Sequence, residues 1–293
     1  MTDNQCPWLV VNGASGSFSE EAVKEVHSAL CTGSAREVKT LDCSTCDLPD
    51  ASDLADAEIT RLAIFAGDGT ISNYLGKLEK QGWDGAALLL PGGTTNLLST
   101  ELFGNMPAAE IAGKFTRGEL EPMERHCLRC ESHTALAEIL VGPGARWADV
   151  REDIRDNAIG DAIRHSIDIA EEAANGDLVR LIDPNTGAAD GYPGLLFSLK
   201  DEVMVARGYP LRTAGDWIGQ GWAMATRDFR EGPYDDLGSM EIAHCAIVGE
   251  EQRDAKIDLM IDGERQSTGS STEVRRDTFG IKVFALPGGD TPR

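Results

Sequence analysis

In Leu62-Ala63-Ile64-Phe65-Ala66-Gly67-Asp68-Gly69-Thr70 an apolar run stops at a Gly-Asp-Gly-Thr turn, and a helical pattern follows at once through Ile71, Tyr74, Leu75 and Leu78. Apolar residues at every position suit a strand covered on both faces. The glycines let the turn approach a ligand without a Cβ in the way. Amides opening the next helix point into the same mouth, where their partial positive charge favours phosphate. Asp68 cannot itself hold phosphate, because like charges repel. It fits there through a divalent cation, or as a base for a hydroxyl. Strand, carboxylate-bearing turn and helix together point to phosphoryl transfer.

Outward from this turn the pattern repeats. Ala86 to Leu90 is a second apolar run, and Pro91-Gly92-Gly93-Thr94-Thr95-Asn96 opens a helix over Leu97 to Phe103. Upstream, Trp8 to Val11 ends in Asn12-Gly13-Ala14-Ser15-Gly16-Ser17, and Ser19 caps a helix whose first turn carries Glu20 and Glu21. Val38 to Leu41 reads as another strand, the chain on to Glu58 as loop and weak helix, and Pro107 to Gly118 as helix. Alternating strands and helices predict a parallel sheet with three ligand loops at one edge: Asn12–Ser17, Gly67–Thr70 and Gly92–Asn96.

The pair Gly67-Asp68-Gly69-Thr70 and Pro91-Gly92-Gly93-Thr94-Thr95-Asn96, with a strand before the second loop, resembles the catalytic domain shared by diacylglycerol, sphingosine and ceramide kinases and their bacterial relatives. Asn12, Ser15 and Gly16 hold the spacing of that family's first loop, with Gly13 where the family has Pro. Ala66 stands in place of a Gly, and Leu97 and Thr100 replace an Asp and an Arg. The resemblance implies ATP with magnesium, held by Asn12, Ser15, Gly16, Gly67, Gly69, Thr70, Gly93, Thr94, Thr95 and Asn96. It also implies an α/β nucleotide-binding domain over 1–122 and an antiparallel β-sandwich lipid domain over 123–293.

The second half carries the matching periodicity. Short strand patterns run over Arg125–Cys130, Leu136–Val141, Leu178–Ile182, Leu195–Ala206, Trp222–Phe229, Met240–Val248, Lys256–Asp262 and, in pieces, Val274–Leu286. One helix, Asp153 to Ala174, interrupts them. Gly144-Ala145-Arg146-Trp147-Ala148-Asp149-Val150 is similar to a sphingosine and ceramide kinase stretch, which implies that Asp149 binds the lipid's polar head; a helix N-terminal acid is the plainer alternative. Asp235-Asp236-Leu237-Gly238 is close to a family turn beside which bacterial members hold a structural cation, so Asp236 is the expected metal residue. Met260-Ile261-Asp262-Gly263-Glu264 matches the family's Asp-Gly-Glu strand end. In an extended chain Asp262 and Glu264 share a side, so one orients a metal or water while the other takes a proton. Asp-Gly is also the commonest hairpin signal.

The charge of −22, from 27 basic and 49 acidic residues, excludes nucleic acid as partner and leaves little attraction to anionic headgroups. Met1-Thr2-Asp3-Asn4-Gln5 has no basic or long apolar segment, and no apolar run nears the roughly 20 residues of a membrane span. A cytoplasmic protein is expected, with any membrane contact peripheral at the inner face; a homodimer is compatible with the sequence. The seven cysteines, odd in number and irregularly spaced, read as reduced thiols rather than zinc ligands despite Cys43-x-x-Cys46 and Cys127-x-x-Cys130. The expected activity is ATP-dependent phosphorylation of a lipid hydroxyl on a sphingoid base, ceramide or diacylglycerol. Asp68 or Asp262 accepts the proton, and Asp149 lies at the polar end of the lipid. A kinase of a soluble acceptor such as NAD and a non-catalytic lipid- or nucleotide-binding protein are the alternatives.

Overall fold

A computed structural model describes residues 6–15, 18–32, 38–94, 96–146, 177–210, 234–248 and 255–289. Two compact units result: one takes the chain up to Arg125 and again from Thr278, the other runs His126–Asp277.

The first unit follows the alternating pattern: β1 (Trp8–Val11), α1 (Glu20–Cys31), β2 (Thr40–Asp42), α2 (Ala51–Asp56), β3 (Arg61–Ala66), α3 (Asp68–Lys80), β4 (Ala86–Pro91), α4 (Leu97–Phe103) and α5 (Ala108–Thr116). The sheet is parallel in the order β2-β1-β3-β4. The interiors of β3 and β4 are fully buried because helices cover both faces. Leu9, Val11, Leu88 and Leu90 meet Val26 and Leu30 of α1 and Ile111 of α5 in one core. Each such side chain contributes about 1.5–3 kcal/mol by leaving water. Ser19 caps α1 as expected, accepting from the Ala22 amide. The weak helix before Glu58 is α2. Its start is a capping box in which Asp50 accepts from the Ser52 and Asp53 amides, and Asp53 accepts from the Asp50 amide.

The second unit is antiparallel. Its elements are β5 (Glu121–Cys130), which crosses from the first unit, then β6 (His133–Ala135), β7 (Glu138–Val141), β8 (Val179–Asp183), β9 (Gly194–Lys200), β10 (Val203–Tyr209), β11 (Asp235–Ser239), β12 (Ile242–Ile247), β13 (Ile257–Ile261), β14 (Glu264–Thr268) and β15 (Ser271–Ala285). One sheet has the order β11-β10-β9-β7-β13-β14, while β12 lies between β8 and the start of β15. Their inner faces share a core of Ile139, Phe197, Met204 and Leu259 from the first set and Leu128, Leu181, Cys245 and Val274 from the second. The expected α/β plus β-sandwich architecture is what the chain adopts.

Three details differ from the sequence pattern. The run Leu195–Ala206 is a hairpin, β9 and β10, turned at Asp201 and Glu202 with φ of 50° and 64°; polar residues can occupy that left-handed region, but nothing in their pattern advertises it. The pieces over Val274–Leu286 are one continuous strand. It pairs antiparallel with β12 in the second unit, and Lys282 and Val283 then lie parallel beside β4. The described residues from Thr278 onward therefore group with the first unit rather than with the second. The expected strand Trp222–Phe229 and helix Asp153–Ala174 lie outside the described residues.

Candidate active site

The chain leaves β1 for β2 on one side and places β3 on the other, so the strand order reverses between β1 and β3. Loops at the carboxyl ends of such neighbours diverge and leave a crevice, the usual ligand site of an open parallel sheet. Here three loops are bound to one another. Asn12 Nδ2 donates to Thr70 Oγ1 at 3.1 Å, joining the exits of β1 and β3. Ser15 Oγ donates to the Gly92 carbonyl at 3.2 Å, joining those of β1 and β4. The exits of β3 and β4 touch directly: a Cβ on Gly93 would lie 2.5 Å from the Gly67 Cα, and one on Gly92 would lie 2.6 Å from the Ala66 nitrogen. Only glycine fits at either place.

In α3 the first intrahelical bond runs from the Ile71 amide to the Gly67 carbonyl, so the Gly69 and Thr70 amides have no acceptor within the helix. They carry the positive end of the helix dipole. The start of α4 is different. Its Leu97 and Leu98 amides donate to Asp68 Oδ2 at 2.9 Å and Oδ1 at 3.0 Å. The second anion position is thus filled by the protein's own carboxylate, and Asp68, 6% exposed, fastens one ligand loop to the next. Asn96 is spent locally as well. With φ 53° and ψ 44°, its Oδ1 accepts from the Gly93 amide and its Nδ2 donates to the Gly93 carbonyl, both at 2.7 Å. Thr94 is exposed. Gly16 and Thr95 lie outside the described residues.

In the second unit Asp262 and Gly263 form the two-residue turn between β13 and β14, with φ of 46° and 92°. The extended geometry expected to align Asp262 with Glu264 is therefore absent, and the hairpin reading holds. Asp262, 4% exposed, accepts from the Leu136, Ala137 and Glu138 amides at 2.6, 3.0 and 2.7 Å. Glu264 is exposed at the start of β14. Asp236 lies on β11, not in a turn, and its Oδ1 accepts from the Gly238 amide. Among the described residues no group of three or more His, Cys, Asp or Glu is placed to hold a metal ion, at Asp236 or at either cysteine pair. None of the seven cysteines is joined in a disulfide. Burial, then the neighbouring Asp42 charge, pushes the Cys43 thiol up. Asp149 lies outside the described residues.

One residue of this region escapes the motif reading. Asp42 ends β2 in register with Val11, and its Oδ1 accepts from the Gly13 amide, the Ser44 amide and the Ser44 hydroxyl at 2.9, 2.9 and 2.8 Å. Partial burial works the other way, but these donors hold its carboxyl below the usual range. The sequence signal was present: Asp-x-Ser directly after a strand is an Asx-turn pattern. It also explains Gly13, where a Cβ would lie 2.3 Å from Asp42 Oδ2.

The first unit is similar to a known catalytic domain. Residues 7–126 match the diacylglycerol kinase catalytic domain. The match takes in β1 through α5 and ends at the unit boundary. No curated protein matches the chain. Solved structures from Bacillus anthracis str. Sterne, described as a diacylglycerol kinase, two of them provisionally, share the fold over 98% of this chain and 99% of theirs. Their TM-scores are 0.63, 0.64 and 0.61 at 13%, 13% and 12% identity. Both units are therefore found together in those structures. No helix among the described residues is long and apolar enough to cross a membrane.

Proposed function

We propose that the chain is an ATP-dependent lipid kinase that moves the γ-phosphate to the hydroxyl of a sphingoid base, ceramide or diacylglycerol. The observation that carries this is the joining of three strand-exit loops over the β1/β3 reversal, with the Gly69 and Thr70 amides opening a helix there. The diacylglycerol kinase catalytic domain match supports lipid phosphorylation in general.

Asn12, Ser15, Gly16, Gly67, Gly69, Thr70, Gly93, Thr94 and Thr95 hold the nucleotide, with the α3 amides on its phosphates. Asn96 contributes by fixing the loop rather than by direct contact, since both ends of its amide bind Gly93. The donor set fits phosphate, because the backbones of Gly67 and Gly93 leave no side chain at the mouth. Among the described residues no carboxylate cluster would hold magnesium, so the bound nucleotide itself would have to carry the ion, which would supply neutralisation of the charge developing in transfer. Asp68 or Asp262 takes the hydroxyl proton, and Asp149 and Glu264 orient the acceptor. Whichever carboxylate acts must release a backbone amide, which Asp68 does at a helix start that water can resatisfy. The lipid is met at the membrane surface.

Transfer of label from γ-labelled ATP to sphingosine, ceramide, diacylglycerol and NAD tests the assignment. Label in one of the lipids, none in NAD, and a loss of at least about a hundredfold in Asp68→Asn are the expected results. Asp68's commitment to Leu97 and Leu98 favours one other reading, a nucleotide-binding protein without turnover. ATP binding undiminished in Asp68→Asn, with no transfer to any acceptor in the parent, would establish it.

A further inference from the structure

The proposed site leaves one carboxylate oxygen unused, and its position assigns it a ligand. Asp42 sits one strand out from the β1/β3 crevice, beside the residue that precedes Asn12. Its Oδ1 is saturated by three donors, which fix the side chain. Its Oδ2 lies over the bare Cα of Gly13 and among the described residues accepts no hydrogen bond. A nucleotide whose phosphates rest on the α3 amides must carry its sugar toward β4 or toward β2. On the β4 side the Leu97 and Leu98 amides are taken by Asp68 and the Gly93 amide by Asn96, and the loop Pro91–Asn96 carries no carboxylate of its own. On the β2 side an unspent anionic acceptor waits. A carboxylate repels phosphate but accepts well from hydroxyls, and an acid at the end of a neighbouring strand is how open α/β sheets grip a ribose.

We propose that Asp42 Oδ2 accepts the hydroxyls of the nucleotide's ribose, making Asp42 the residue that selects a ribonucleotide over a deoxyribonucleotide. This rests on the ATP reading above. Gly13 is part of the device: any larger residue there would drive Oδ2 out of position.

The test is equilibrium binding of ATP, 2′-deoxy-ATP and 3′-deoxy-ATP to the full chain, to Asp42→Asn and to Gly13→Ala. Asparagine keeps Oδ1 for the Gly13 and Ser44 donors and replaces Oδ2 by a donor, so the loop stays closed while the acceptor is lost. Alanine at 13 displaces the carboxylate without removing its charge. The parent is expected to bind ATP about tenfold more tightly than at least one deoxynucleotide. Both variants should bring that ratio near one while leaving the deoxynucleotide affinity unchanged. A parent that binds all three equally refutes the ribose contact but leaves the kinase reading standing. Equal losses for all three ligands would reduce Asp42 to a loop-closing residue, and equal gains would put it beside the phosphates. Either result overturns the proposal. A parent that binds none of them removes the ATP reading and this inference together.

Discussion

In the first unit a buried carboxylate, Asp68, accepts from amides 29 and 30 residues downstream; in the second, Asp262 accepts from three amides 124 to 126 residues upstream. The first bond set begins the next helix of an alternating fold, so its donors come from a helix end that water or an anion can also satisfy. The second holds the chain crossing from β6 to β7, where Leu136, Ala137 and Glu138 are all buried. Identical chemistry thus has a different cost of release: one carboxylate lets go of amides at a helix end within a ligand site, and the other lets go only by leaving amides of buried residues unpaired.

Substitution of Asp262 should therefore produce the largest effect. Asp262→Ala leaves three buried N–H groups unsatisfied, and a loss of about 3–5 kcal/mol in urea unfolding of the full chain is expected. Asp262→Asn keeps one acceptor oxygen and should lose about half as much. If Asp262→Ala unfolds at the parent's denaturant concentration yet transfers no phosphate, Asp262 has a chemical role and the contrast collapses.

The contact between the ligand loops gives a sharper and somewhat smaller effect. A Cβ at Gly93 meets backbone, 2.5 Å from the Gly67 Cα and 3.2 Å from its nitrogen, whereas a Cβ at Gly67 meets its nearest neighbour at an ordinary 3.5 Å. Gly93→Ala should destabilise by about 1–3 kcal/mol and abolish nucleotide binding, because two backbones must part. Gly67→Ala should shift stability by less than about 1 kcal/mol. Equal behaviour of the two variants would mean that the loops are not held in contact.

How much of this was readable beforehand follows the same division. The sheet, its helices and the gathering of Asn12, Gly67–Thr70 and Gly92–Asn96 at one edge were legible because each strand, turn and helix there is contiguous in sequence. What Asp68 and Asn96 do inside those loops was not, since motif spacing shows that a carboxylate is present but not which amides it reaches. In the second unit the Asp262 turn was visible as Asp-Gly, but its partners at 136–138 were not. The return of β15 to the first unit was hidden for a related reason. A single strand used by two units shows one β pattern, and nothing in it marks where the partner changes. Asp42 was missed through attention to glycine motifs, although its Asx-turn pattern lay in view.

The smallest effect separates the units by pH. Burial, the leading cause, pushes the Tyr209 hydroxyl from 10.0 up to about 12, against a weaker opposing pull from Arg207. The folded state then holds the phenol proton more tightly than the unfolded chain does. This contribution is full below pH 10.0 and is lost as pH climbs toward about 12. Asp42 behaves oppositely: its carboxyl is held below 3.8, so what it adds to the loops of the first unit is present above that pH and lost as pH falls. Alkaline titration should therefore weaken the second unit by about 1 kcal/mol while leaving the Asp42 turn untouched. Unfolding followed by tyrosinate absorbance in the parent and in Tyr209→Phe measures it, and the variant should lose that part of the alkaline slope and keep its acid limb. If the alkaline slope survives the substitution intact, another group carries it and Tyr209 ionises as freely in the folded chain as in the unfolded one.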